Sequence, residues 1–230
     1  MLYQLFPTDK INIIILTKQP EKPKTIWMLT PILGTILFVA LYVMATFFYP
    51  GGSQVDKNAI GFSWINNYWC NLLNENAING KHNPAKPIAV TAMFVLWLSL
   101  SFFWFLFPKY INIVKFAKLT IQISGTLAMT TTFFLLTNIN HDLVTNLTSM
   151  FGLVATVGLF TGLYKNKWYG LFAFGLLNLL LVALNNYLYY NKGLIIYLPV
   201  IQKISFATFL IWICSIDINL YNRPASENKT

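Results

Sequence analysis

The sequence predicts an all-α fold, a polytopic bundle of six transmembrane helices with an amphipathic interfacial helix in the first outside loop. Three observations lead there. Only 10% of the 230 residues are charged, against about 25% in a soluble domain. Hydrophobic residues make up 56% of the chain, and the mean hydropathy is +0.57. The apolar runs are helix-length, about twice the ~10 residues of a barrel strand. Together these exclude a disordered chain and an ordinary soluble enzyme. The net charge of +9 does not signal nucleic acid, because the 16 basic residues are scattered between apolar segments rather than clustered.

Taken in order, residues 1–26 form a polar N-terminal segment. Its one apolar stretch, INIIIL at 11–16, is too short for a signal-peptide core and is followed by no small-residue cleavage site. The first span is expected to act as its own uncleaved signal. Six segments are long and apolar enough to cross ~30 Å of hydrocarbon: 27–49, 88–107, 117–137, 143–164, 168–190 and 198–220. The first two contain no charge. The third carries Lys118 at its edge, the fifth Asn178, and the sixth the Gln202-Lys203 pair. Residues 221–230 form a tail.

Orientation follows from the loops, because basic residues accumulate on the cytoplasmic side. With both termini on one face, that face holds eleven of the basic residues, from Lys10 to Lys229. The other holds five: Lys57, Lys81, Lys86, Lys192 and Lys203. This predicts cytoplasmic N- and C-termini. Cys70 then falls in the outside loop and Cys214 about 16 residues into the last span, ~24 Å away at 1.5 Å per residue. No intrachain disulfide is expected over that distance.

The 50–87 connection is the one long loop. Tyr49-Pro50-Gly51-Gly52 ends the first span, and Ser53 with Asp56 has the spacing of a capping box. From Ser63 to Glu75, apolar residues at 64, 65, 68, 69, 72 and 73 predict one face of an amphipathic helix. Trp64, Tyr68 and Trp69 suit the bilayer interface, and asparagines occupy the opposite face. Asn79-Gly80 and Asn83-Pro84 predict closing turns.

The string Tyr49-Pro-Gly-Gly, then Gly61-Phe-Ser-Trp64, Asn67-Tyr-Trp-Cys70, Asn79-Gly80 and Asn83-Pro84 resembles the bacterial multi-pass membrane proteins of the domain-of-unknown-function 998 family. The resemblance is most specific over residues 49–107 and extends beyond only as hydropathy. It implies a six-helix membrane protein and brings no activity with it. Asn71 stands where that family's pattern often carries an acid.

Polar residues inside the spans mark the candidate site. Spans three and four carry stripes at Thr120, Ser124, Ala128, Thr131 and at Thr145, Ser149, Gly152, Thr156, with Gly158-xxx-Gly162 beside them. Span five aligns Gly175, Asn178 and Asn185, and span six aligns Gln202, Ser205, Thr208, Trp212 and Ser215. Helix–helix packing explains such stripes. The bias of Asn138, Asn146, Asn185, Asn186 and Gln202 toward the outer half predicts in addition a cavity open to the outside. Its roof would be the 63–75 helix with Trp64, Tyr68 and Trp69. His141, Asp142 and Lys203 lie at the same depth, and Asp142 and Lys203 are placed to pair. Asp217, near the inner end, asks for no functional explanation.

Catalytic signatures are absent. There is no GxSxG and no phosphate loop. The one set of potential metal ligands, His82, His141, Asp142 and Asp56, has no HExxH or CxxC spacing. No cofactor and no metal are expected. The leading expectation is binding of a lipid or a membrane-protein partner at the outward cavity; the alternative is a membrane-embedded enzyme or secondary carrier using the same space.

Overall fold

A computed structural model describes the backbone of residues 26–134 and 141–222, and their side chains except at 26, 141, 142 and 145. Six α-helices follow in order: α1 Thr30–Phe47, α2 Lys86–Leu106, α3 Lys115–Phe133, α4 His141–Lys165, α5 Tyr169–Tyr190 and α6 Leu198–Tyr221. Each coincides with a predicted span, with ends differing by a few residues. Prolines sit in the first turn of α1, α2 and α6, where the missing N–H costs no helical bond.

Five helices are long and apolar enough to cross a membrane: α1, α2, α4, α5 and α6. The exception, α3, has 19 residues, or ~28 Å of length, but a more polar composition. Its contacts nevertheless run along the C-terminal half of α2 and the turn after it, from Phe94 to Lys109. Phe133 meets Trp97 at 5.4 Å between ring centroids, Gly125 lies against Trp104, and the Lys118 ammonium donates to the Lys109 carbonyl. Apolar side chains also cover the outside of the bundle, as Leu33, Leu153 and Leu180 do at 62 to 68% exposure. A water-soluble bundle would bury such residues; a bilayer solvates them.

Consecutive helices pair: α1 with α2, α3 with α4, and α5 with α6, while α4 meets α5 only lightly. Small residues set the close approaches. A side chain at Gly34 would strike Ser99, and one at Gly158 or Gly162 would strike Ile121 or Ile111. The α3 stripe is a packing surface, joined to α4 by a Thr148–Thr131 hydroxyl bond of 2.9 Å. The expected α4 stripe lies off that seam: Ser149 is exposed, Gly152 has open space beside it and Thr156 lines the cavity described below.

The loop corrects one expectation. There is no continuous amphipathic helix over 63–75: a turn at 64–66 precedes a 3-10 helix at Trp69–Leu73. Its faces are also reversed, with Asn67 and Asn71 buried and Trp64 and Ile65 exposed. The reason is backbone satisfaction. A folded loop without a ladder must pair its buried N–H and C=O groups through side chains, and asparagine offers both a donor and an acceptor. Asn67 accepts from Ser63 N–H at 2.8 Å and donates to the Gly52 carbonyl at 2.8 Å. Asn71 accepts from Tyr68 N–H at 2.7 Å. Asn83 donates to the carbonyls of Asn71, Leu72 and Asn74 and accepts from Ala85 N–H. Ser53 and Asp56 form a hydrogen-bonded turn, not a helix cap. Gly52 has φ +81°, and a Cβ there would lie 2.4 Å from the Asn79 nitrogen; only glycine fits.

Asn83 closes this loop, so Asn83→Ala should cost about 3 kcal/mol by stranding several buried carbonyls. Limited proteolysis should then cut within residues 71–76 while the helices stay intact. Unchanged resistance of the loop would contradict the assignment.

Candidate functional site: a roofed cavity between α1, α4, α5 and α6

The loosely packed side of the bundle encloses a cavity of about 670 Å³, within the ~300–1,000 Å³ range of small-molecule sites. It opens in the half of the bundle that carries the long loop. From Gln202 at its mouth to Trp212 at its floor is ten residues of α6, or ~15 Å. The floor is aromatic: Phe160 and Trp212 lie 5.6 Å apart, with Gly175 beneath them. A Cβ at Gly175 would come within 2.5 Å of the Trp212 ring and 2.8 Å of Phe160, so glycine is what lets both rings meet there. Phe38 and Phe206 form an edge-to-face pair on the wall at 5.6 Å. Cys70, Asn185, Asn186 and Gln202 rim the mouth.

Polar rungs hold the α5–α6 wall together. Trp212 Nε1–H donates to the Leu171 carbonyl at 2.7 Å, Thr208 donates to Asn178 Oδ1 at 3.0 Å, and Asn185 donates to Ser205 Oγ at 2.5 Å. The α5 partners are seven residues apart, so all three face α6. Bonds of this kind contribute about 0.6 kcal/mol each, up to ~1.7, and they fix which faces meet.

The roof is fastened by α6 and α1. The Lys203 ammonium donates to the Asn67 carbonyl and, at 2.8 Å, to the Pro199 carbonyl of its own helix. Gln202 Oε1 accepts from Trp69 N–H at 3.3 Å, and the Tyr42 hydroxyl donates to the Trp69 carbonyl at 3.1 Å. Trp69 packs edge-on to Tyr42 and Trp64, and the Lys203 ammonium lies 5.9 Å from the Phe62 ring centroid. Two backbone positions of the roof, 67 and 69, are thus tied to the bundle.

Of the residues expected at the site, Trp69, Asn185, Asn186 and Gln202 line this cavity. Lys203 stands beside it as a fastening of the roof. Trp64 and Tyr68 belong to the roof segment without lining the cavity, and Asn146 lies exposed on α4. Asn138 and the side chains of His141 and Asp142 lie outside the described residues, and so does the expected Asp142–Lys203 pair. For the metal alternative, no group of three candidate ligands occurs among the described residues. Asp56 is exposed and accepts from Asn58 N–H, and His82 is exposed on a single bridge to Asn76.

No protein family, curated protein or solved structure matches this chain.

Sequence reasoning missed the aromatic contributors Phe38, Tyr42, Phe160 and Phe206, because aromatics in a membrane span read as lipid-facing bulk. It also passed over Asp217. That residue is 1% exposed, and its Oδ2 makes no hydrogen bond among the described residues; it lies on α6 below Trp212, at the opposite end from the roof. Glu75 pairs with Lys86 at the loop's exposed edge, and that bond and charge hold its carboxyl below the usual range.

Cys70 reports on the mouth. Burial pushes its thiol up from the ordinary value, while a backbone hydrogen bond and the Lys203 charge oppose the shift. The thiolate is the reactive form. Alkylation of Cys70 in a Cys214→Ser protein should therefore keep accelerating as pH rises past about 8.5, the ordinary thiol value. A rate that levels off below that pH would contradict the buried setting.

Proposed function

We propose that this chain is a six-span protein of a bacterial inner membrane that binds a lipid in the roofed cavity, with both termini cytoplasmic and the 50–87 loop outside. One observation carries the reading: a cavity of small-molecule size lies within a membrane-spanning bundle and is capped by a folded loop. Its occupant has to come from water through the mouth or from the bilayer between helices. The light contact between α4 and α5 favours the bilayer, because that seam faces lipid. The orientation rests on the eleven-to-five distribution of basic residues and on α3 lying against α2 from Phe94 onward, which favours a sixth crossing and so an even number.

A membrane-protein partner is the second reading. It is favoured by the apolar side chains that the loop turns outward, Val55, Ile60, Trp64 and Ile65 at 47 to 98% exposure. Such side chains also suit the headgroup layer. The resemblance of residues 49–107 to the domain-of-unknown-function 998 proteins is part of the proposal and supplies no reaction.

Native mass spectrometry of the protein released from nanodiscs tests the lipid reading. We expect one retained lipid-sized adduct per chain, and loss of most of it in Val182→Trp, which places a ring into the cavity from a half-exposed site on α5. Val182→Trp with unchanged adduct and unchanged melting temperature would place the lipid elsewhere. Absence of any adduct would refute binding.

A further inference from the structure

We infer that the cavity selects an uncharged amphiphile, one with an apolar chain and a neutral headgroup bearing hydroxyl or amide character. The inference rests on the lipid-binding reading above and narrows it to a chemical class.

Charge is the first argument. No Lys, Arg, His, Asp or Glu is among the residues that line the cavity. Lys203, the ionisable group beside the mouth, has its ammonium engaged by the Asn67 and Pro199 carbonyls, and no carboxylate pairs with it among the described residues. A charged headgroup drawn below the mouth would be desolvated with no counter-ion. At membrane depth an unpaired charge is disfavoured by roughly sixtyfold to three-hundredfold in affinity.

The second argument is the distribution of polarity. The floor presents rings and a glycine, Phe160, Gly175 and Trp212, with their polar atom Trp212 Nε1 already bonded. Hydrogen-bonding capacity is left over only higher up. Trp69 Nε1–H is buried with no partner, and so is Asn185 Oδ1, although Asn185 Nδ2 serves both the Leu181 carbonyl and Ser205. Gln202 uses its oxygen on Trp69 N–H, and its amide N–H groups donate to nothing among the described residues. Buried polar atoms without partners are rare in native proteins and call for a group that satisfies them.

These three residues are contiguous. Trp69 is bonded to Gln202; Ser205 lies one turn along α6 from Gln202 and is bonded to Asn185. The wall at this level therefore leaves donors of Trp69 and Gln202 and an acceptor of Asn185 unused, Trp69 Nε1 and Asn185 Oδ1 being closed off until a side chain turns toward the headgroup. A hydroxyl or amide, which both donates and accepts, complements that set; a carboxylate cannot donate and a quaternary ammonium can do neither. The ~15 Å below this level takes the chain.

The test uses the full-length protein in phosphatidylcholine nanodiscs and three probes of one chain length: a monoacylglycerol, the fatty acid and the alkyltrimethylammonium. Binding is followed by native mass spectrometry. We expect the monoacylglycerol to bind at least tenfold more tightly than either charged probe, and Trp69→Phe, which keeps the ring but removes the donor, to weaken it about fivefold to tenfold. Equal or tighter binding of a charged probe, or an unchanged affinity in Trp69→Phe with the fold intact, overturns the neutral-headgroup inference and leaves lipid binding standing. No binding of any probe that Val182→Trp abolishes overturns both.

Discussion

A two-turn segment of α6, residues 199 to 205, holds the loop end of this bundle together. Within it Lys203 and Gln202 reach up to the backbone of Asn67 and Trp69, and Ser205 reaches across to Asn185 on α5. The same segment therefore fastens the roof and fixes a wall. A lysine near the end of a span ordinarily extends its ammonium to the interface. Here that tendency is given a fixed destination, because carbonyls of an irregular loop need donors that no ladder supplies. Apolar replacements along this segment would still span a membrane, but the loop would have nothing polar to dock against.

Enclosed space next to lipid requires a reason not to collapse, since lipid tails are as apolar as the helices and exert little drive to close. The tight seams use small residues, Gly34 against Ser99 and Gly158 and Gly162 against Ile121 and Ile111. Around the cavity the equivalent positions carry bulk, with Phe38, Phe160 and Phe206 standing off the backbones. The polar rungs at Leu171, Asn178 and Asn185 tie α5 to α6 and leave α4 and α5 lightly joined. Beside the cavity, α4 and α5 are joined as lightly as α1 and α6.

The helices were legible because a bilayer imposes length and composition on each span; α1, α2, α4, α5 and α6 carry both, and α3 carries the length. The α5 and α6 stripes were legible for the same reason: Asn178, Asn185 and Ser205 are too polar for lipid and must face inward. Sequence could not tell that the α3 stripe would close on Thr148 of α4 and not on the stripe through Ser149 and Thr156, since Thr131 and Thr148 look no different in sequence from Ser205 and Asn185. The 63–75 segment misled because hydrophobic spacing assumes that asparagine faces water. In a loop with no regular hydrogen bonding, Asn67, Asn71 and Asn83 are worth more inside, and Trp64 and Ile65 are turned out. That reversal is set by backbone needs, which a pattern of side-chain polarity does not encode.

The most direct measurement of this account is hydrogen exchange of the roof in Lys203→Met, a substitution that keeps the length and apolar stem of the side chain. Losing a charged donor to the Asn67 carbonyl should raise exchange at residues 67–73 about tenfold, with the cores of α1, α2 and α6 unchanged. Exchange there identical to that of the unsubstituted protein would show that the roof is held by something other than α6.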